Sequence, residues 1–328
     1  MAYETGSATT TLDLLEKFRL FLIANGWTVN RNVAAGSGRE VCVSKGTSYF
    51  NMRAYSNEAI TVNGSSTAGK YGIALNGSDG YAGGSAWDRQ PGYPLRTVST
   101  GGDQAHATLE VVANTANFPS YFFFAEGDCA YLELEVTAGQ YQRLGFGKLD
   151  LFAPVTGDGR FFYATNYTHP VLAGTTAWLT NDMDQINYSH ECVPFRSASY
   201  NSQSKQGSSY LRAAFDSFNN WAGSARTAGF SETGQACIGS RSISFPIEDW
   251  APSPLNGVGI IVPQTVGVLR GDTLINPVGV LPNIRYMDMT NYSPGAEFAF
   301  GGDTWKVFPW YQKGGVGGMR GIAYKKVI

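Results

Sequence analysis

The sequence predicts a mainly β fold with a few short helices, in which antiparallel sheets form a sandwich or a barrel joined by long glycine- and aromatic-rich loops. Three observations lead there. Short runs such as EVCVSKG, AYLELEVTAG and YQRLGFGKLDLFA alternate apolar with polar residues or gather aromatics, as half-buried strands do. Glycine supplies 40 of the 328 residues and aromatics 13%, a mix that serves tight turns and pleated surfaces. Pro263, Pro277, Pro282, Pro294 and Pro309 interrupt the last third. Proline donates no ladder hydrogen bond, so the strands there should be short, edge-like or bulged.

The elements follow in chain order. TTTLDLLEKFRLFLIANGW predicts a helix over about residues 11–25. Thr10 or Thr11 caps it, Asp13 lies in its first turn, and Gly26 stands where a left-handed C-cap belongs. Leu14, Leu15, Phe18, Phe21 and Leu22 form a stripe at helical spacing that should pack on the domain's own sheet. Between residues 30 and 75, EVCVSKG, YFNMRAYS, AITVNG and KYGIALNG read as antiparallel strands. GSDGYAGGSAWDRQPGYP then lacks periodicity and reads as a long loop anchored by Tyr81, Trp87 and Tyr93. From 107 to 153, ATLEVVANT, SYFFFAEGD, AYLELEVTAG and YQRLGFGKLDLFA form consecutive strands, and FFYATN adds one more. Within them Glu133 and Glu135 occupy one face and Leu132, Leu134 and Val136 the other.

Beyond a polar stretch, SSYLRAAFDSFNNW predicts a second helix with Leu211, Phe215 and Phe218 inward and Trp221 just past it. ACIGSRSISFPIEDW predicts a strand. GIIVPQTVGVLRG, IRYMDM, EFAFGG, TWKVFPWY and GIAYKKV predict a final series of short strands. No internal repeat stands out. The whole chain, 1–328, reads as one large β-rich domain with a soft subdivision near 200.

Composition narrows the function. Apolar residues reach 43%, which makes the chain globular. Charged residues reach only 15%, against roughly a quarter in ordinary domains, and the formal net charge is -2. That balance does not favour a groove that tracks a nucleic-acid backbone. Apolar runs such as FLIA and YFFFA are too short to span a membrane. The opening lacks the basic and apolar regions of a secretion signal, so folding in a cytoplasm is expected. Cys42, Cys129, Cys192 and Cys237 are widely and irregularly spaced, which suits buried free thiols better than a metal knuckle or a disulfide framework.

Chemistry-bearing patterns are sparse. His106, His169 and His190 are far apart, and none stands in a zinc-ligand spacing. His190, Glu191 and Cys192 are consecutive, but neighbouring strand residues point to opposite faces and build no triad by themselves. Glu126, Asp128, Asp182, Asp184 and Asp303 offer carboxylates without the facing geometry that glycoside hydrolysis needs. Gly147-Lys148 lacks the Walker spacing, and GGVGGMRG lacks the strand-turn-helix context of a dinucleotide fingerprint. No catalytic, cofactor or metal-ligating residue is expected. What remains is aromatic. Tyr81, Trp87, Tyr93, Trp305, Phe308, Trp310 and Tyr311 are candidates for protein contacts, and Trp and Tyr among them for sugar stacking, with core packing as the plain alternative.

Three segments carry a resemblance. The short helix ending in NGW, the run YFFFAEGDCAYLELEVTAGQYQRLGFGKLD and the closing GGDTWKVFPWYQKGG...GIAYKK resemble virion structural proteins of tailed bacteriophages. Together they span most of the chain. The likeness is to tail, baseplate or neck components and is one of general texture, with no signature motif. It implies a non-enzymatic subunit that forms or connects oligomeric rings, incorporated in several copies, made in the host cytoplasm and resident in the virion. Its partners would be copies of itself and neighbouring virion proteins. Tyr141 to Lys148 and Trp305 to Tyr311 become contact or framework segments, and the extended N-terminal residues with the helix become an arm. Two other readings stand beside it. One is a receptor- or glycan-binding module with exposed Trp and Tyr in a shallow groove. The other is an enzyme cleaving polysaccharide or peptide, which needs convergent carboxylates or a nucleophile with its base in a cleft.

Overall fold

The computed structural model describes residues 2–62, 65–94, 107–111, 117–165, 194–195, 209–214, 221–223, 240–244, 261–270, 274–315 and 319–326. The first elements are β1 (Ala2–Ala8), α1 (Thr11–Ala24), β2 (Thr28–Ala35), β3 (Gly38–Lys45), β4 (Ser48–Val62) and β5 (Ser65–Ser78). A single 3-10 turn at Trp87–Arg89 precedes β6 (Ala107–Val111). The middle holds β7 (Phe118–Glu126), β8 (Cys129–Thr137), β9 (Gln140–Lys148), β10 (Asp150–Leu151) and β11 (Thr156–Ala164). Then come β12 (Ser209–Ala214), β13 (Trp221–Gly223), β14 (Ser240–Ser244), β15 (Ile261–Arg270) and β16 (Leu274–Asp288). β17 (Glu297–Phe300), β18 (Asp303–Pro309) and β19 (Arg320–Lys326) close the chain.

These strands make three sheets, antiparallel at every ladder described. The first has the order β1-β7-β8-β9-β11-β12-β13. The second runs β14-β15-β16-β19-β18-β17, with β10 attached to β16, and the third β2-β3-β4-β5-β6. The mainly β expectation is met.

The first sheet lies in the middle, and the period of two divides its residues between two cores. Tyr121, Phe123, Ala130, Leu132, Leu134, Leu144, Phe146, Phe162 and Tyr210 pack with α1 and with Val41, Val43, Phe50, Met52, Ile73 and Leu75 of the third sheet. The alternate residues Phe124, Tyr131, Phe161, Tyr163 and Leu211 pack with Val266, Leu281, Ile284, Phe308, Ile322 and Tyr324 of the second. A strand with a core on each face should read as a near-continuous apolar run, and FFFA and FFYA do. Each fully buried Leu or Phe contributes about 1.5–3 kcal/mol of transfer free energy.

Helix α1 forms as its sequence requires. The Thr10 hydroxyl accepts from the Asp13 amide at 3.0 Å, Gly26 takes φ +80, and the predicted stripe is buried. Two expectations need correction. The second helix is absent where it was expected to begin: Ser209–Ala214 is β12 and Trp221–Gly223 is β13. Tyr210 and Leu211 pair with Phe162 and Phe161 and meet opposite cores, so ladder pairing outweighs local helix propensity. Leu211 is buried as expected and Trp221 is buried too, while Phe215 and Phe218 lie outside the described residues. The N-terminal residues are not a free arm either. β1 pairs with β7, and the Tyr3 ring sits 5.3 Å from that of Phe124.

Candidate functional site

The two segments set apart by the resemblance meet in the seam between the central and second sheets. The Tyr141 amide donates to the Tyr311 carbonyl at 2.9 Å, and the Tyr311 hydroxyl donates to Gln140 Oε1 at 2.8 Å. An isolated bridge joins Gln140 to Gln312. Two residues further along β9, Arg143 reaches across the seam. Its Nη1 donates to the Trp310 carbonyl at 2.8 Å, and its Nη2 to the Pro309 carbonyl at 2.6 Å. The carbonyls that end β18 are therefore satisfied by a guanidinium from β9.

That guanidinium is itself held by a carboxylate. Arg143 donates through Nε to Glu133 Oε2 at 2.8 Å and through Nη2 to Glu133 Oε1 at 2.7 Å. Both side chains are 0% exposed. From β19, the Tyr324 hydroxyl donates to Glu133 Oε2 at 3.0 Å. Behind the pair, Thr165 accepts from the Arg143 amide at 2.8 Å, and its own amide returns a bond to the Arg143 carbonyl at 2.9 Å. Burial raises the Glu133 carboxyl above the ordinary glutamic acid range, against the pull of Arg143 and Tyr324. Burial likewise pushes the Tyr163 and Tyr324 phenols far up, so both stay neutral at ordinary pH. A carboxylate filled by a two-pronged guanidinium and a phenol is not presented to a substrate. What this arrangement does is join layers: β8, β9, β18 and β19 share one network.

The long loop is a second built feature. Trp87 is buried against Cys42, Tyr55 and Ala74 on the outer face of the third sheet, with Tyr81 packed beside it. Buried Gln90 braces the loop from inside, accepting from the Ala82 amide at 2.7 Å and donating to the Ser85 and Ala86 carbonyls at 3.1 and 2.9 Å. The Asp79 amide closes its base on the Pro91 carbonyl at 2.7 Å. The Asp79 carboxylate then grips the central sheet through Arg160 and Arg212, each at 2.6 Å. Trp221 Nε1 donates to the Gly92 carbonyl at 2.9 Å. A side chain at Gly92 would run into Asp79, and its φ of +71 favours glycine as well.

The structure thus places each aromatic candidate. Trp87, Trp305, Phe308, Trp310 and Tyr311 are buried by the chain's own residues, and Tyr81 and Tyr93 are half-buried. β18 covers both faces: Trp305 and Val307 meet Met287, Met289 and Ala323 outside, while Phe308 turns into the seam. Of the carboxylates, Asp128 lies 3.7 Å from Lys148, Asp303 lies 3.0 Å from Lys325, and Glu126 is exposed. His106, His169, His190, Glu191, Cys192, Cys237, Asp182 and Asp184 lie outside the described residues. Cys42 and Cys129 are buried free thiols, each pushed up to about 12 by burial. Among the described residues, no group of three His, Cys, Asp or Glu side chains is placed to hold a metal ion.

Sequence reasoning missed both charged networks. For Glu133 and Arg143 a signal existed: they flank the Ala138-Gly139 turn at short range and pair directly in the hairpin. For Asp79 with Arg160 and Arg212, three distant segments converge, and no local pattern foretells it. No protein-family model and no curated protein sequence matches the chain.

Proposed function

We propose that this chain is a non-enzymatic structural subunit of a tailed-bacteriophage particle, placed in its tail, baseplate or neck, and that it works by shape and by addition to copies of itself or to neighbouring particle proteins. The observation that carries the reading is the burial of the aromatic closing segment. Trp305, Phe308, Trp310 and Tyr311 stiffen a three-layer body rather than line a groove. A glycan-binding module needs such rings exposed, and here Trp87, Trp305 and Trp310 are core.

A stiff layered body suits a subunit that transmits position without turnover. Contacts between subunits then fall to the sheet margins. β1, β2 and β17 each end a sheet, and β2 and β17 carry exposed residues along much of their length. Unpaired ladder groups on such strands are ready to receive another chain. The low charge of the chain lowers the desolvation cost of broad contacts. Negative-stain electron microscopy of the purified protein tests the proposal. Rings or other closed oligomers of one defined size are the expected result. Single bodies at every concentration, together with hydrolysis of an added polysaccharide or peptide, would overturn it.

A further inference from the structure

We propose that the cluster of Asp79, Arg160 and Arg212 binds a small oxyanion. Arg160 on β11 and Arg212 on β12 are direct cross-strand partners. Like charges placed so repel each other unless an anion lies between them. Their side chains are only 8% and 6% exposed, so water screens them poorly. One carboxylate serves both: Asp79 Oδ1 accepts from Arg160 Nη2 at 2.6 Å, and Asp79 accepts from Arg212 Nη2 at 2.6 Å and Nε at 3.2 Å. Among the described residues, two cations on one anion leave an excess positive charge in the cluster. The nearby Asp158 is more than half exposed and lies 3.7 Å from Lys148 instead.

The hydrogen bonds are uneven in the same direction. Every guanidinium nitrogen of Arg160 has a partner, since it donates also to the Ser78 carbonyl at 2.7 Å and, at 3.4 Å, to the Thr47 and Gly157 carbonyls. Arg212 differs. Its Nη1 is buried and has no hydrogen-bond partner among the described residues. A buried charged donor left unpaired is costly, and an oxyanion is the group that satisfies both its charge and its protons. Entry runs past Asp79, whose side chain is a third exposed. The incoming anion takes Arg212, and Asp79 stays with Arg160, so that each guanidinium gains its own anion.

Titration calorimetry of the full chain with inorganic phosphate tests the site. Saturable binding at one site per chain is expected, lost in Arg212→Gln. Asp79→Asn removes the competing carboxylate and should bind phosphate tighter by roughly tenfold, a modest share of a unit charge acting at contact distance. If Arg212→Gln does not fold, the Asp79→Asn comparison decides. The proposal is overturned if neither the wild type nor Asp79→Asn gives saturable heat, or if folded Arg212→Gln binds as the wild type does.

Discussion

The two faces of the central sheet do different jobs with the same strands. Toward α1 and the third sheet, β8 and β9 present Leu132, Leu134, Leu144 and Phe146, and Phe146 packs among Phe18, Trp27 and Phe50. Toward the second sheet, the same strands present Tyr131 and Tyr141 together with the sealed Glu133–Arg143 pair. Apolar packing fills the middle of the first interface and sets its geometry, with Asp79, Arg160 and Arg212 bridging the two sheets at one margin. The second adds directional bonds that fix where β18 and β19 lie. Buried ion pairs add little net stability but penalise wrong alignments, because a shifted register leaves a charge unpaired in the core. The polar face thus acts as a register pin, the apolar face as bulk cohesion.

That contrast can be broken in graded steps. The largest effect should come from Glu133→Ala, which strands the Arg143 charge; about 3–5 kcal/mol of unfolding free energy should be lost in urea titrations. Replacing both members by apolar residues of similar volume should restore most of that loss, which sets an orphaned charge apart from a missing contact. On the other face, Leu144→Ala should cost about 2–5 kcal/mol, with no such rescue by a second substitution. Next comes Thr10→Ala, which removes the α1 cap and should cost about 1 kcal/mol in the same titration.

The smallest effect lies outside both cores, at Glu297. Its carboxyl is partly desolvated, yet Lys326 and Lys306 hold it below its ordinary value of 4.5. A depressed folded-state value contributes stability that is present above the ordinary value and lost as pH falls through the folded one. The gap between wild type and Glu297→Gln should therefore close as the pH drops below 4.5. At neutral pH it should stay within the ~0–1 kcal/mol usual for exposed pairs. Thermal melts across that window measure it.

Strands with a strong period and the capped helix were legible because their causes are local. LDLLEKFRLFL carries its own stripe and caps, and YFFFA announces a strand buried on both sides. SSYLRAAFDSF misled because its helical spacing is weak beside the ladder that β11 offers. Alternation does place Glu133 away from Leu132 and Leu134, but it cannot say that the acid face is sealed by a second sheet. The same reason hides which of the two readings, contact or core packing, the closing aromatics take within the chain. Trp305 and Phe308 point to opposite sides of β18, and each side has a cover supplied from elsewhere in the chain. Asp79, Arg160 and Arg212 needed the fold itself to be brought together.

The most direct test of the assembly reading is the mass of the native protein in solution by light scattering, taken over a wide range of concentrations. The account predicts a defined oligomer that persists on dilution or forms at one stoichiometry as concentration rises. A mass equal to one chain throughout, unchanged when neighbouring particle proteins are added, would contradict it.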